Sequence, residues 1–375
     1  MTALFIKFLS VLTAVVMAIN ANLPLIPKKD DDTEYEQCKN VIFMIGDGMG
    51  FNSIAKTKAE DGIETLNMDT FPLQGESKTS SASSIVTDSA AGGSALACGV
   101  RIINNTVGVY SYDVTGLISH PMSLSELAIS QGKLAGVITT DSTSGATPAD
   151  FSTHTSNRSN EKDISSQQLA SELTLVWGTK TKSISAEAAE ENGFEFIYDK
   201  ATMDALEEGT RSFGQFDSEL WHESRTEGMP VLSEMTEKAI DLLDDDDDGF
   251  FLMVEGAHID KNSHNKNGEG MKDALKSFDK AVGVALDYAK EHGDTLVIVT
   301  ADHETGAIKL KNGVYKYTSG NHSAANVPLL VYGCENFMEK GEIMKNCEAS
   351  QKVAHVMGCE EFPIKQYGIV PGKVL

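Results

Sequence analysis

The stretch Asn40-Val41-Ile42-Phe43-Met44-Ile45-Gly46-Asp47-Gly48-Met49-Gly50 decides the fold. Five consecutive apolar residues stop at a glycine, an acid and more glycines. A strand with one wet face alternates apolar and polar residues, whereas a strand covered on both faces does not. The run is of the second kind. So are 136–140, 250–254, Thr295–Thr300 and Val327–Tyr332. Helical patterns lie between them. One covers 124–131 before Gly132, a second 233–243, and the clearest 269–292, with Met271, Leu275, Phe278, Val282 and Leu286 on one face and Gly293 after its end. Buried strands alternating with helices predict an α/β fold, a doubly wound, mostly parallel central sheet with helices on both faces.

Upstream of this frame, Lys7 precedes an apolar run over 8–19, with small residues at Ala18 and Ala21. That run is too short to span a bilayer and reads as an export signal over 1–21. Residues 22–39, with Pro24, Pro27 and acids at 30–32, read as an acidic, solvated leader. A single catalytic domain is expected over 40–375, secreted or periplasmic after cleavage. With no second long apolar run and no tail for a lipid anchor, no membrane anchor is expected. Of the five cysteines, Cys98 lies in an Ala-rich apolar helix and is expected to stay buried and free. Cys38, Cys334, Cys347 and Cys359 are expected to form two disulfides in an oxidising compartment, with the connectivity open.

The chain of 375 residues carries 31 Lys and Arg against 55 Asp and Glu, a net charge of −24. Without a basic patch, such a chain repels a phosphate backbone, so nucleic acid is excluded as a partner. A small phosphorylated substrate is not.

In open α/β sheets, ligands bind beyond the carboxyl ends of the strands. The first strand ends at Asp47. The strand over 250–254 runs into Glu255, Asp260, Lys261 and His264. The Thr295–Thr300 strand runs into Asp302 and His303, and His322 stands just before the last strand. Each alone has a bland reading: a turn residue, a solvated histidine, or Asp260 and His264 as ordinary neighbours at i, i+4 on a helix. Together they form a metal-ligand set. Mixed His and Asp ligands suit zinc, and an all-oxygen cluster suits magnesium. The segment Val86-Thr87-Asp88-Ser89-Ala90-Ala91-Gly92-Gly93 leads into a helix ending at Cys98-Gly99. Ser89 then stands at the helix N-terminus, where free N–H groups and the dipole favour an alkoxide and a phosphate. The serines at 77, 80, 81, 83 and 84 also permit an ordinary cap. No Gly-x-Ser-x-Gly elbow is present, which favours activation by metal.

These segments, in this order, resemble the alkaline phosphatase family. The resemblance spans Asp47 to His322. It implies hydrolysis of phosphate monoesters through a phosphoserine, at a site with two Zn2+ and one Mg2+. By matching position, Ser89 is implied as nucleophile. Asp260, His264 and His322 are implied as ligands of one zinc, and Asp47, Asp302 and His303 as ligands of the other. Asp47, Thr147 and Glu255 are implied for magnesium, Arg158 in Asn157-Arg158-Ser159 for gripping phosphate, and Lys261 for substrate binding.

Three departures stand out. Two positions before Thr147 the family has Asp or His, and this chain has Gly145, so a weaker or more hydrated third site is expected. The acid that faces Lys261 in relatives is missing at that position. Only 18 residues separate His303 from His322, which marks a compact version.

A phosphodiesterase or sulfatase of the same superfamily is the nearest alternative. Ala90-Ala91 after Ser89 argues against a sulfatase, and the pairing of Ser89 with Arg158 argues against a diesterase. A non-catalytic secreted phosphate- or metal-binding protein would be signalled by a lost ligand or nucleophile, and all six matched zinc ligands and Ser89 are present. The expected partners are phosphate monoesters, with a homodimer left open.

Overall fold

Val41, Phe43 and Ile45 face one side of a strand, and Ile42 and Met44 face the other. All five are at most 1% exposed. Burying one such side chain contributes about 1.5–3 kcal/mol, so the strand is stable only where both of its faces are covered. The computed structural model describes residues 35–111, 119–217, 220–222, 227–244 and 246–367. The expected export signal lies outside these, as does most of the leader. Residues from Tyr35 onward form one compact unit.

The main sheet has ten strands. In chain order they are β1 (Asn40–Ile45), β2 (Leu73–Lys78), β3 (Leu134–Ser142), β4 (Leu175–Thr179), β5 (Glu195–Ile197), β6 (Ser212–Phe216), β7 (Phe250–Glu255), β8 (Thr295–Thr300), β9 (Val327–Tyr332) and β10 (Ile343–Lys345). Their spatial order is β10-β2-β9-β8-β1-β7-β3-β4-β6-β5. Every pairing is parallel except those of β9 with β8 and β2. The sheet is therefore mostly parallel, as expected, with β1 central.

Helices cover both faces. Ile42 and Met44 share a core with Met271, Leu275 and Phe278 of the helix Gly268–His292 and with Leu232 and Met235 of Leu232–Leu243. Val41, Phe43 and Ile45 pack with Leu96 and Ala97 of Ser89–Cys98, Leu124 of Leu124–Ser130, and Val353 of Asn346–Val356. The long helix stops where expected, at Gly293, whose φ of 77° is left-handed. Besides β2 and β10, the sequence reading missed β4, β6 and the edge strand β5. They are short, and Gly178, Ser212 and Gly214 interrupt their apolar pattern.

The cysteines depart from expectation. All five are free thiols, so the two disulfides expected among Cys38, Cys334, Cys347 and Cys359 are not formed. Cys347 is the second residue of the Asn346–Val356 helix, and Cys359 lies three residues beyond its far end. At 1.5 Å per residue that helix is roughly 16 Å long, beyond the ~7 Å reach of a disulfide. Cys38 instead donates to Gly333 O at 3.2 Å, and Cys334 to Asn336 Oδ1 at 3.2 Å. Burial, with Cys334 beside it, pushes the Cys38 thiol up to about 12.

One ion pair away from the strand ends contributes to acid stability. His154 is buried with Nδ1 2.7 Å from Gly108 O and Nε2 3.0 Å from Glu126 Oε1. Both nitrogens face acceptors, which suits the imidazolium. Burial works against the Glu126 carboxylate, yet His154 and the Ser123 N–H draw it down to about 2. Its folded value lies below its ordinary 4.5. The stabilisation is therefore present above 4.5 and lost as pH falls through 2. Glu126→Gln should lower Tm by a few degrees at pH 7 (roughly 1 kcal/mol per 2–4 °C at this size). The difference from wild type should shrink between pH 4.5 and 2. A pH-independent difference in a thermal melt series would contradict the pairing.

Candidate active site

Three parallel neighbours end level. Ile45 of β1 pairs with Glu255 of β7 on one side and Thr300 of β8 on the other, and Thr139 of β3 pairs with Glu255. This register gathers Asp47, Glu255, Asp302 and His303 at one edge of the sheet. Gly48 follows with φ 73°, and a Cβ there would lie 2.8 Å from Asp260 Cα. Glycine thus lets the β1 turn touch the segment that carries Asp260. At Gly92 the helix Ser89–Cys98 approaches equally closely, since a Cβ there would lie 2.7 Å from Asp302 O.

His264 and His322 each have Nδ1 against a backbone carbonyl, Gly320 O at 2.7 Å and Thr87 O at 3.0 Å. Donation through Nδ1 leaves each Nε2 a lone pair. The two Nε2 atoms lie 3.1 Å apart, and Asp260 Oδ2 is 3.3 Å from that of His264. Two lone pairs and a carboxylate facing one another require a cation or a proton between them. Without a metal, hydrogen bonding to Asp260 pushes His264 up to about 9. Asp260, against its burial, is drawn to about 2 by His264, His303 and Thr305.

The second group surrounds His303. Its Nε2 lies 3.1 Å from Asp302 Oδ2, 3.5 Å from Asp47 Oδ1 and 3.2 Å from Ser89 Oγ. Asp47 Oδ1 and Asp302 Oδ2 are buried with no hydrogen-bond partner. Burial, then the charges of Asp302, Asp260 and Glu255, pushes Asp47 well above the carboxylate range. Burial and Asp260 push Asp302 up to about 8. Unpaired buried carboxylates are costly, and a bound cation removes that cost. Ligand atoms of Asp260, His264 and His322, and of Asp47, Asp260 and His303, converge within 4.8 Å in each set. Both clusters fit metal ions, with Asp260 shared between them. Thr147 Oγ1, also buried and without a hydrogen-bond partner, lies by Glu255. Burial and Asp141 push Glu255 up to about 7.

Ser89 is the first residue of the helix Ser89–Cys98 and is 5% exposed. Asp88 caps that helix, accepting from Ala91 N at 3.1 Å through Oδ1. Its other oxygen accepts from Asn105 N at 3.0 Å and from Arg158 Nη1 at 3.1 Å. One carboxylate thus starts the helix that carries Ser89 and holds the Arg158 guanidinium at that same end.

A sequence profile of the alkaline phosphatase family matches residues 38–182 and 172–361. The chain belongs to the alkaline phosphatase family. Among its relatives, alkaline phosphatase 3 of Bacillus subtilis is 31% identical over 316 residues, which cover 77% of this chain and 66% of that protein. The Escherichia coli alkaline phosphatase is 32% identical over 341 residues, covering 73% of this chain and 71% of its own. The chain thus spans about two thirds of the length of these curated relatives. The structure of the alkaline phosphatase from the Antarctic bacterium TAB5 aligns with a TM-score of 0.74 at 31% identity, covering 87% of this chain and all of that one. Two further structures of that enzyme, with a histidine replaced by Asp or by Glu, have magnesium bound in a site named M3.

Within this alkaline phosphatase fold, every residue singled out from the sequence lies at the same edge of the sheet or in the loops beside it. One expectation is corrected. The acid expected to be missing opposite Lys261 is present, because Lys261 Nζ pairs with Asp141 Oδ1. Asp141 lies four residues before Gly145, outside the position where the resemblance places that acid. Asp88 as the holder of Arg158 was also missed, as was Thr305, which donates to Asp260 Oδ1 at 2.5 Å. Nothing local in the sequence marks either contact.

Proposed function

We propose that this alkaline phosphatase family member hydrolyses phosphate monoesters through a phosphoserine on Ser89. The observation that carries the reading is Ser89 Oγ at a helix N-terminus, 3.2 Å from His303 Nε2 of one metal-fit cluster, with Arg158 held by the adjoining Asp88. Two zinc ions suit the His/Asp clusters, and when bound they lower the pKa of the nucleophile and stabilise the leaving oxygen. Asp260, His264 and His322 hold one, and Asp47, Asp302 and His303 the other. Magnesium suits the oxygen set of Asp47, Thr147 and Glu255, and the magnesium-bound Antarctic relatives support that assignment.

Arg158 binds two phosphate oxygens with its planar fork. Ser89 Oγ attacks phosphorus, the bond from phosphorus to the ester oxygen breaks, and the alcohol leaves with the serine proton. Water then attacks the phosphoserine. The bond from phosphorus to Oγ breaks, releasing inorganic phosphate and restoring Ser89. We take residues 1–21 as a cleaved export signal, 22–39 as a leader and 40–375 as the catalytic unit. Export to the periplasm or exterior follows from that signal. Among the described residues no helix is long and apolar enough to cross a membrane.

Arg158→Lys keeps the charge and loses the fork. One charge-assisted hydrogen bond amounts to about 1.5–3 kcal/mol, so KM for p-nitrophenyl phosphate should rise roughly 10- to 100-fold. Phosphate inhibition should weaken in parallel. Unchanged phosphate inhibition would remove Arg158 from the substrate site. The test of the function itself compares p-nitrophenyl phosphate with bis-p-nitrophenyl phosphate. The monoester should be favoured at least about 100-fold, about 2.7 kcal/mol in transition-state terms. Preference for the diester would move the protein to the phosphodiesterase alternative.

A further inference from the structure

Gly145 begins the short helix Ala146–Asp150 with φ −56° and ψ 161°, which any residue can adopt. Its backbone therefore does not require glycine. Space does. A Cβ at Gly145 would lie 3.0 Å from Asp141 Oδ2 and 3.0 Å from Ser142 O. The carboxylate of Asp141 already fills the volume into which a side chain at 145 would point.

Asp141 reaches that place through an irregularity in β3. Ile138 pairs with Trp177 and Ser142 with Thr179, so the residues between them are in excess over the partner strand. Such bulges re-aim side chains. Thr139 Oγ1 holds the bulge by accepting from Asp141 N at 2.9 Å, and the same hydroxyl donates to Glu255 Oε2. Asp141 Oδ1 pairs with Lys261 Nζ, and its other oxygen faces Gly145. Thr147 Oγ1, at most 1% exposed, has no hydrogen-bond partner beside Glu255.

We propose that Asp141 supplies, from four residues upstream, the third-site carboxylate that Gly145 cannot, and so serves magnesium binding while anchoring Lys261. This rests on the third-site reading of Asp47, Thr147 and Glu255. The proximity of Asp141 to Glu255 accords with it, because two carboxylates share one neighbourhood with a single ammonium between them. A divalent cation offsets that repulsion better than Lys261 alone. The proposal also reverses the expectation of a weak third site and changes what Gly145→Asp does. The new side chain meets an occupied volume and crowds the loop instead of filling a gap.

The test uses the zinc-loaded protein, with magnesium titrated by calorimetry and retained magnesium measured by elemental analysis after gel filtration. Asp141→Asn keeps the shape and removes the charge. Losing an outer partner of a metal site commonly costs 10- to 100-fold in affinity, so magnesium should bind about tenfold more weakly or worse. The double variant Asp141→Ala/Gly145→Asp moves the carboxylate to position 145 and vacates the space it needs. It should return magnesium affinity to within about threefold of wild type, which a variant damaged only in folding would not do. Wild-type affinity in Asp141→Asn, or no recovery in the double variant, overturns the proposal. Absence of magnesium binding in the wild-type protein overturns the third-site reading beneath it, while zinc-dependent monoester hydrolysis would stand.

Discussion

Ser89→Ala should lower kcat for p-nitrophenyl phosphate by roughly 1000-fold or more, the scale seen when a covalent nucleophile is removed. Zinc content should stay at two per chain. The two effects separate because Ser89 and the ligands do different work. On the proposed reading six other side chains hold the metals, and Ser89 Oγ meets one of them, His303, at 3.2 Å. The backbone of residue 89 stays in place, since Asp88 provides the helix cap through its own side chain. Alanine removes an oxygen and leaves no cavity, so Tm should move little. Residual turnover above background is expected, because the metals and Arg158 still bind and polarise the substrate. Zinc content falling together with activity would show that Ser89 holds the metal site rather than reacting.

Chelation should abolish activity, with a loss of at least about 1000-fold that added zinc restores, since metal stabilisation of transition-state charge amounts to several kcal/mol. It should also leave a pH-dependent mark on stability. In the metal-free fold Asp302 is raised from 3.8 to about 8, mainly by burial, and His264 is raised from 6.5 to about 9, mainly by Asp260. Both groups bind a proton in the fold that the unfolded chain has already released. Their contribution is lost as pH rises through the folded values. His303, kept neutral by burial, has its effect on stability below 6.5 and drops out above it. Bound metal displaces these protons, so the loaded protein escapes the loss. The Tm difference between zinc-loaded and chelated protein should therefore widen from pH 7 to pH 9. A constant or narrowing difference would contradict the carboxylate cluster as a cation site.

What the sequence makes legible here follows from where each interaction sits along the chain. Asn40–Ile45 and Thr295–Thr300 announce themselves because a strand buried on both faces must be apolar at consecutive positions. Asp260 and His264 announce themselves because one helical turn puts i and i+4 on one side. Ser89 is legible from the small-residue helix behind it, which lets that helix approach Asp302 at Gly92. Contacts between distant segments carry no such mark. Asp88 holds Arg158 across 70 residues and Asp141 meets Lys261 across 120. Neither pairing has a local period. The replacement at Gly145 is hidden further, because a bulge in β3, which no composition rule predicts, brings a carboxylate from a non-matching position into the vacant one. The count of cysteines suggested pairing but says nothing of where the chain places each thiol, and Cys347 and Cys359 are kept apart by the Asn346–Val356 helix.

The covalent step is the centre of the account, and acid quenching tests it most directly. Zinc-loaded protein is mixed with ³²P-labelled inorganic phosphate at acid pH, then quenched in acid and digested. The account predicts label on one peptide, the one that contains Ser89, with phosphoserine at that residue by mass spectrometry and no label in Ser89→Ala. Label persisting in Ser89→Ala, or appearing on a histidine or another serine in wild type, would contradict it.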